Sequence, residues 1–239
     1  MLKRKILMLA AFSLFGCSAC SPQAASGQMN ASGNAEETAA PDTAQAPPPQ
    51  ITLNMLTDMQ AQTGEPDLTF RDESIDSIYG SFLSFPVRNG QDAFQAVASL
   101  AELLGIPDVS AEIRLDHCGN DGSSDIYSFR QYYQGIPVCN VTLLLLVDPE
   151  TGRTQFFQNG YQSGLTLDTK PAYPAADAAK AARKALDRRD LAKPVLSVWI
   201  GDASPRLAWD ITGKDDARTV FAADAKTGSI LFEDQIVSE

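Results

Sequence analysis

One short pattern occurs twice in this sequence and sets the plan of the fold. The pattern D-x-x-T-G stands at residues 148–152 and again at residues 224–228. An apolar, β-prone run precedes each copy and another follows it, so each copy is predicted to be the turn of a β-hairpin. Two hairpins with the same turn indicate an internal repeat.

The same order of elements leads to each turn. In the first half, apolar residues at helical spacing predict a helix over residues 91–104, with Asn89 as its N-cap and Gly105 at its end. In the second half, an Ala-rich stripe predicts a helix over residues 175–189. Alternating apolar residues and breakers predict the strands, at residues 111–117, 126–133, 138–147 and 153–158, then 195–200, 206–212, 218–223 and 229–236.

The predicted fold class is therefore α+β, with two tandem modules that each pack a helix on an antiparallel β-sheet. We place the first module at residues 51–170 and the second at residues 171–239. Before them we predict a signal peptide at residues 1–16 and a tether at residues 17–50. From Ser21 to Gln50 no residue is aromatic or branched aliphatic, so nothing there offsets the entropy cost of ordering.

The N-terminus resembles a bacterial lipoprotein signal. Three basic residues at positions 3–5 precede an apolar run that is too short to span a bilayer, and Leu14-Phe15-Gly16-Cys17 follows as a lipobox. This resemblance implies that Cys17 is acylated and anchors the chain to a membrane, since multiple acyl chains anchor stably. Cys20 is a weaker acceptor because no aliphatic residue precedes it at the required position; an ordinary cleaved signal peptide is the alternative.

Charge disfavours one class of partner. The formal net charge is −11, and loss of the three basic leader residues makes it −14. Such a surface repels phosphate backbones, so we expect no nucleic-acid partner.

Three segments of the sequence carry its most specific resemblance to a known family. Residues 129–138 read FRQYYQGIPV, residues 206–210 read RLAWD, and residues 220–231 read VFAADAKTGSIL. In these segments the chain resembles the prosegment of thermolysin-type and fungalysin-type metallopeptidases, from about Leu53 onward. The resemblance implies a fungalysin/thermolysin propeptide (FTP) module followed by a PepSY module of cystatin-like build. Cys139 departs from the family pattern, in which a small or aromatic residue is commoner.

Histidine content argues against catalysis. A zinc peptidase of this kind uses two His ligands one helical turn apart, and most Ser or Cys hydrolases need a His base. The sequence contains a single histidine, His117, so we expect no enzyme activity and no cofactor. A Cys/His pair of His117 with Cys118 is the weaker interpretation; a polar residue at a strand end is the favoured one.

Three other features favour plain structural interpretations. Asp116, Asn120, Asp121 and Asp125 could bind calcium, but their spacing does not match an EF-hand loop, so no metal site is predicted. A stripe of aromatic residues in residues 127–133 is expected to lie in the core unless part of it is exposed. A disulfide between Cys118 and Cys139 is not expected, because the strand between them would hold them about 20 Å apart.

These expectations combine into a non-catalytic, lipid-anchored protein of the bacterial cell envelope that faces the periplasm or the exterior, at the outer membrane if the host has two. The resemblance implies that it inhibits, chaperones or restrains a secreted thermolysin-type peptidase. It also implies that Ile236, Val237 and Glu239 contact that partner, because prosegments leave their second module toward the enzyme's cleft. The alternative function is an envelope structural or ligand-sensing module without a peptidase partner.

Overall fold

A computed structural model describes residues 48–187, 189–201, 204–214 and 218–234. The described residues form one compact unit. None of the helices in the described part is long and apolar enough to cross a membrane.

The described residues form five helices and eleven strands. The helices are α1 Leu53–Thr63, α2 Gly90–Ser99, α3 Ala101–Leu104, α4 Val109–Glu112 and α5 Ala175–Leu186. The strands of the first half are β1 Asp67–Arg71, β2 Ser74–Tyr79, β3 Ile113–Asn120, β4 Asp125–Tyr133, β5 Ile136–Cys139, β6 Leu143–Val147 and β7 Thr154–Gln158. Those of the second half are β8 Val195–Trp199, β9 Arg206–Thr212, β10 Thr219–Asp224 and β11 Ile230–Glu233.

All strands join one 11-stranded sheet, in the order β1-β2-β7-β6-β4-β5-β8-β9-β10-β11, and β3 pairs with the other side of β4. Every neighbouring pair is antiparallel except β5 and β8, which pair in parallel through Val138 and Val198. The α+β class is therefore confirmed. Elements α1, β1 and β2 were not predicted from the sequence.

The predicted first helix is present but divided. Asn89 caps it as expected, since its side chain accepts hydrogen bonds from Gln91 N and Asp92 N. The helix breaks at Leu100 because the chain N-terminal to α1 takes two of its carbonyls: Gln50 Nε2 donates to Ala98 O and Ile51 N donates to Ser99 O. The second part ends at Gly105, as predicted, in the left-handed region.

The prediction of one long strand at residues 138–147 is wrong. Asn140 has a φ of 66°, which breaks the strand between β5 and β6. Its side chain donates to Ile200 O at 2.9 Å and so holds β5 beside β8. The same bend lets Gly160 approach the backbone of Thr142, where an added Cβ would lie 2.4 Å from Thr142 O.

The helix predicted at residues 175–189 ends earlier, at Leu186, because Asp187 adopts a left-handed conformation. The remaining predicted strands agree with β3, β4, β7, β8, β9, β10 and β11 to within a few residues.

Both D-x-x-T-G segments form the same turn. In the first, Asp148 Oδ1 accepts hydrogen bonds from the backbone amides of Glu150 and Thr151. In the second, Asp224 Oδ1 accepts from the amides of Lys226 and Thr227. The glycine of each turn has a positive φ, and its amide donates to the carbonyl of the first aspartate at 2.8 Å. The predicted repeat of the turn is confirmed at the level of single hydrogen bonds.

Each turn is also held by the segment that precedes the helix of its half. Val87 N donates to Gly152 O ahead of α2, and Tyr173 N donates to Ala225 O ahead of α5. The two glycines lie against these segments: a Cβ at Gly152 would be 2.9 Å from Pro86 Cβ, and one at Gly228 would be 2.6 Å from the Tyr173 ring.

Two separate clusters of buried apolar side chains stabilise the sheet. The first lies under α1–α3 and includes Leu56, Ile78, Val97, Leu100, Phe129, Leu143, Leu145 and Phe157. The second lies under α5 and includes Ala178, Ala182, Leu191, Ile211, Val220, Phe221 and Ala223.

Candidate binding surface

The helices lie on one face of the sheet, and the registered strand pairs show that the opposite face is continuous. On β4, the odd-numbered residues from Tyr127 to Gln131 are buried in the first core, so Tyr132 lies on the other side. Tyr132 pairs with Pro137, and Cys139, two residues on, pairs with Trp199. The buried residues of the helices belong to the two cores on the first face. We call the opposite face, which carries Tyr132, Cys139 and Trp199, the open face.

An apolar row crosses the open face of the first half. Tyr79, Phe156, Leu146 and Ile126 are successive partners on β2, β7, β6 and β4. The Tyr79 and Phe156 rings are 4.8 Å apart, and Tyr79 is 49% exposed, whereas the other three are half-buried. We call these four residues the apolar row.

Charged residues lie on the two outer strands of the first half. On β1, Asp67 pairs with Tyr79 and accepts a hydrogen bond from Gln60 Nε2 at 2.8 Å. On the β3 side, Arg114 lies directly opposite Arg130, which is an unfavourable placement of like charges. Arg130 is neutralised by Asp116 at 2.9 Å, while the Arg114 guanidinium stacks on the Tyr132 ring at 4.0 Å.

The open face of the second half carries an aromatic pair beside an edge strand. The rings of Trp199 and Phe232 are 5.8 Å apart, and Phe232 is 38% exposed. They line a cavity of about 260 Å³ together with Asn140, Arg218, Thr219 and Asp234. Within the described sheet β11 pairs only with β10, so its outer backbone groups face away from the sheet.

Beside the aromatic pair, a thiol and a carboxylate lie close together. Cys139 Sγ donates to Asp210 Oδ2 at 3.4 Å, and Asp210 Oδ1 is buried without a hydrogen-bond partner among the described residues. Burial, and then the negative charge of Asp210, raise the pKa of the Cys139 thiol to about 12. A thiol in this state is a poor nucleophile, because only the thiolate reacts.

The segment between the two halves is fixed by buried polar groups. Gln131, 1% exposed, donates through Nε2 to Gln162 O and accepts from Gln162 N. Tyr161 donates its hydroxyl to Glu112 at 2.6 Å, and burial together with this bond raises its pKa. The segment therefore has a defined path between the cores.

A wider groove of about 680 Å³ lies between α1 and residues 81–86. Met59, Leu83 and Phe85 provide apolar lining, and Glu65 and Arg153 are its charged residues. The groove is large enough to hold a ligand, but its lining does not pair a nucleophile with a base.

The candidate calcium residues stabilise their own loop. Asp121 Oδ1 accepts from the amides of Ser123 and Ser124 and from the Ser123 hydroxyl, which lowers the pKa of Asp121. Asn120 donates to Asp125 at 2.7 Å. In the described part of the chain, no three His, Cys, Asp or Glu side chains form a group suited to a metal.

The other predicted candidates are placed as follows. His117 is exposed on β3, with its ring beside Gly119. Cys118 and Cys139 are not joined by a disulfide: Cys118 lies opposite Tyr127, whereas Cys139 follows the far end of β4. The predicted lipidation residue Cys17 and the predicted partner contacts Ile236, Val237 and Glu239 lie outside the described residues.

The aromatic stripe on β4 is core as predicted, since Tyr127 and Phe129 are buried. Sequence reasoning missed the apolar row. The available signal was the run of four leucines at residues 143–146, because a strand with one solvated face normally alternates.

Comparison with solved structures gives distant likenesses. The chain is similar to the Bacillus megaterium YpeB C-terminal domain, with 10% sequence identity, 76% of this chain and 96% of that chain covered, and a TM-score of 0.41. A likeness at this level carries no argument about function. No protein-family model and no curated protein matches the sequence.

Proposed function

We propose that this chain is a non-catalytic, lipid-anchored protein of the bacterial envelope that binds and restrains a secreted thermolysin-type peptidase. In this proposal residues 51–170 form a propeptide-like (FTP) module and residues 171–239 a PepSY-like module. The resemblance of residues 129–138 and 220–231 to the prosegments of thermolysin-type peptidases supports the choice of partner.

Two observations support the two-module organisation. The buried apolar side chains fall into two clusters, one from residues 51–161 and one from residues 178–223. In each half the segment before the helix also donates a backbone hydrogen bond to the D-x-x-T-G turn. Repetition of both a core and a turn is what two copies of one supersecondary unit would produce.

The observation that carries the binding role is the combination of an edge strand with two exposed apolar side chains, one of them aromatic, at the C-terminal end of the sheet. The β11 edge offers backbone donors and acceptors to an extended segment, and Ile230, 53% exposed, and Phe232 provide apolar contacts. Residue 234 adjoins this cavity, so the proposed contacts Ile236, Val237 and Glu239 follow directly along the chain. In this proposal the partner contacts both the β11 edge and the C-terminal residues.

Inhibition of a purified thermolysin-type peptidase tests this role. We expect the full chain to inhibit, and Phe232→Ser or truncation after Asp234 to weaken inhibition at least tenfold. Phe70→Ser is the matched control, because Phe70 is a strand phenylalanine of comparable exposure, 51%, at the opposite edge of the sheet. Equal inhibition by all four chains would remove the β11 edge and the tail from the contact.

The anchor has its own test. Cys17→Ala should abolish labelling by a fatty-acid probe and move the protein out of the detergent phase, because the resemblance assigns acylation to this residue. Unchanged labelling would transfer the anchor to Cys20.

A second function is favoured by the cavity between Trp199, Phe232 and Arg218, which has the mixed apolar and polar lining of a small-ligand site. An envelope structural or ligand-sensing module would use it without a peptidase. Absence of inhibition by the full chain would favour this alternative.

A further inference from the structure

The groove between α1 and residues 81–86 has one wall that is fixed at both ends. The amides of Phe82 and Val87 each donate a hydrogen bond to the hairpin that carries the first D-x-x-T-G turn, and both side chains are buried in the first core. Between them, Leu83 and Phe85 are half-buried and pack against that core. The wall therefore keeps its shape without a ligand, and a preorganised site loses less entropy on binding.

Two groups of opposite charge lie in this groove on either side of Ser81. Glu65 Oε2 accepts from Ser81 N at 3.3 Å, and Arg153 Nε donates to Ser81 Oγ at 3.4 Å. Gly80, with a φ of 93°, leaves room for the carboxylate, since an added Cβ would lie 3.1 Å from Glu65 Cδ. Ser81 thus holds the carboxylate and the guanidinium near each other.

Neither charge is neutralised by a neighbour. Within the described part of the chain, Glu65 and Arg153 form no ion pair with each other or with a third residue. Arg153 contributes least to the lowered pKa of Asp148, whose carboxylate is bonded to the amides of its own turn. Glu65 and Arg153 are both exposed, so each has hydrogen-bonding capacity left for a ligand.

We propose that this groove binds a zwitterionic dipeptide with an apolar side chain. The N-terminal ammonium of the dipeptide pairs with Glu65, and its C-terminal carboxylate pairs with the Arg153 guanidinium, a group whose geometry matches a carboxylate. Met59, Leu83 and Phe85 provide the apolar surface beside these charges. A ligand with a single charge would leave one of the two groups without a partner.

The dimensions of the groove favour a dipeptide. The shared contact with Ser81 keeps the Glu65 carboxylate and Arg153 Nε within about 10 Å of each other by standard bond lengths. An extended dipeptide spans at most about 7 Å, whereas a longer peptide would carry one terminal charge past its partner. A free amino acid would cover little of the apolar lining of a groove of about 680 Å³, a volume typical of small-molecule sites.

This site is separate from the proposed peptidase contact. It adjoins β1 and β2, which lie at the opposite end of the strand order from β11. Substitutions in the groove should therefore leave inhibition of a thermolysin-type peptidase unchanged, and Phe232→Ser should leave dipeptide binding unchanged. The two proposals can fail independently.

Isothermal titration calorimetry of the full chain with alanyl-phenylalanine tests the proposal. We expect a dissociation constant on the order of 0.1 mM, a value typical of a ligand of this size. Glu65→Gln and Arg153→Gln should each weaken binding at least fivefold. Glu73→Gln and Arg183→Gln are the matched controls, because they make the same charge changes at exposed positions outside the groove. Circular dichroism confirms that each variant is folded.

Blocked ligands assign each contact. N-acetylation of the dipeptide should weaken binding to the unchanged protein but not to Glu65→Gln, and C-terminal amidation should do the same for Arg153→Gln, because each block removes the contact that the variant already lacks. Lack of binding up to about 5 mM ligand, or an equal loss in the control variants, would overturn the proposal. Phenylalanine that binds as tightly as the dipeptide would also overturn it and identify a free amino acid as the ligand.

Discussion

Replacement of Gly152 by alanine should destabilise the first half through two separable effects. Gly152 has a φ of 74°, where a residue with a Cβ costs about 1–2 kcal/mol. The added Cβ would also lie 2.9 Å from Pro86 Cβ and 3.0 Å from the backbone carbonyl of Val87. Since Val87 N donates to Gly152 O, this backbone cannot move away without loss of a hydrogen bond.

The clash adds to the conformational cost. Overpacking of a tight contact costs about 1–3 kcal/mol, so Gly152→Ala should lose about 2–5 kcal/mol of unfolding free energy. Gly164→Ala isolates the first effect, because Gly164 has a φ of 67° with no atom within 4 Å of its added Cβ. It should lose only about 1–2 kcal/mol.

Urea unfolding measures both variants with two probes. Far-ultraviolet circular dichroism follows the whole sheet, whereas the fluorescence of Trp199 and Trp209 follows the second half. If the halves are separate modules, Gly152→Ala should lower the circular dichroism midpoint more than the fluorescence midpoint. Losses by Gly152→Ala and Gly164→Ala that agree within about 0.5 kcal/mol, the usual error of such comparisons, would refute the clash.

Three further outcomes follow from the polar contacts. Gln131→Ala should cost about 2–4 kcal/mol in urea unfolding, because it leaves both backbone groups of Gln162 without their partner and opens a cavity; a loss below about 0.5 kcal/mol would contradict this. Hydrogen bonds from Thr151 lower the pKa of Asp148 below its ordinary 3.8, so its stabilisation is complete above that pH and is lost as the pH falls through the lowered value. Asp148→Asn should therefore make the loss of stability below about pH 4 shallower, and an unchanged acid profile would count against the turn contact. With Cys17 and Cys20 replaced by serine, Cys139 should react with maleimide at neutral pH at least tenfold more slowly than the exposed Cys118, as followed by peptide mass spectrometry; equal rates would show that burial does not protect it.

Both D-x-x-T-G turns, the start of α2 and the end of α3 could be predicted because short-range contacts determine them. Asp148 and Asp224 bind amides only two and three residues away, and Asn89 binds the amides of Gln91 and Asp92. Such contacts are encoded in a few neighbouring residues. The same locality explains why Gly105 marked the end of α3.

The break at Asn140 could not be predicted, because its cause is distant in the sequence. The Asn140 side chain donates to Ile200 O, and Val138 pairs with Val198, so β8 rather than the local run of residues 138–147 decides where β5 ends. The same applies to Leu100, where the α2 carbonyls are taken by Gln50 and Ile51. In both places tertiary hydrogen bonds overrule local propensity.

The candidate binding surface could not be predicted either, because its residues are also distant from one another in the sequence. Trp199 and Phe232 belong to strands that are three places apart in the sheet, yet their rings lie 5.8 Å apart. The apolar row takes one residue from each of four strands, and its alignment depends on three separate registers. Composition indicated that apolar residues were in excess on β6, but not which residues would stand beside them.

The parallel pairing of β5 with β8 links the fold to the proposed binding roles. Because β5 continues from β4 with Tyr132 opposite Pro137, and Cys139 opposite Trp199, the pleat passes from the first half to the second without a change of face. A shift of one residue at this junction would put the α5 side of the second half on the open side of the first. With the observed register both cores lie on one side, and the open face and the β11 edge are left available for partners. The junction that joins the halves thus also determines which surface they present.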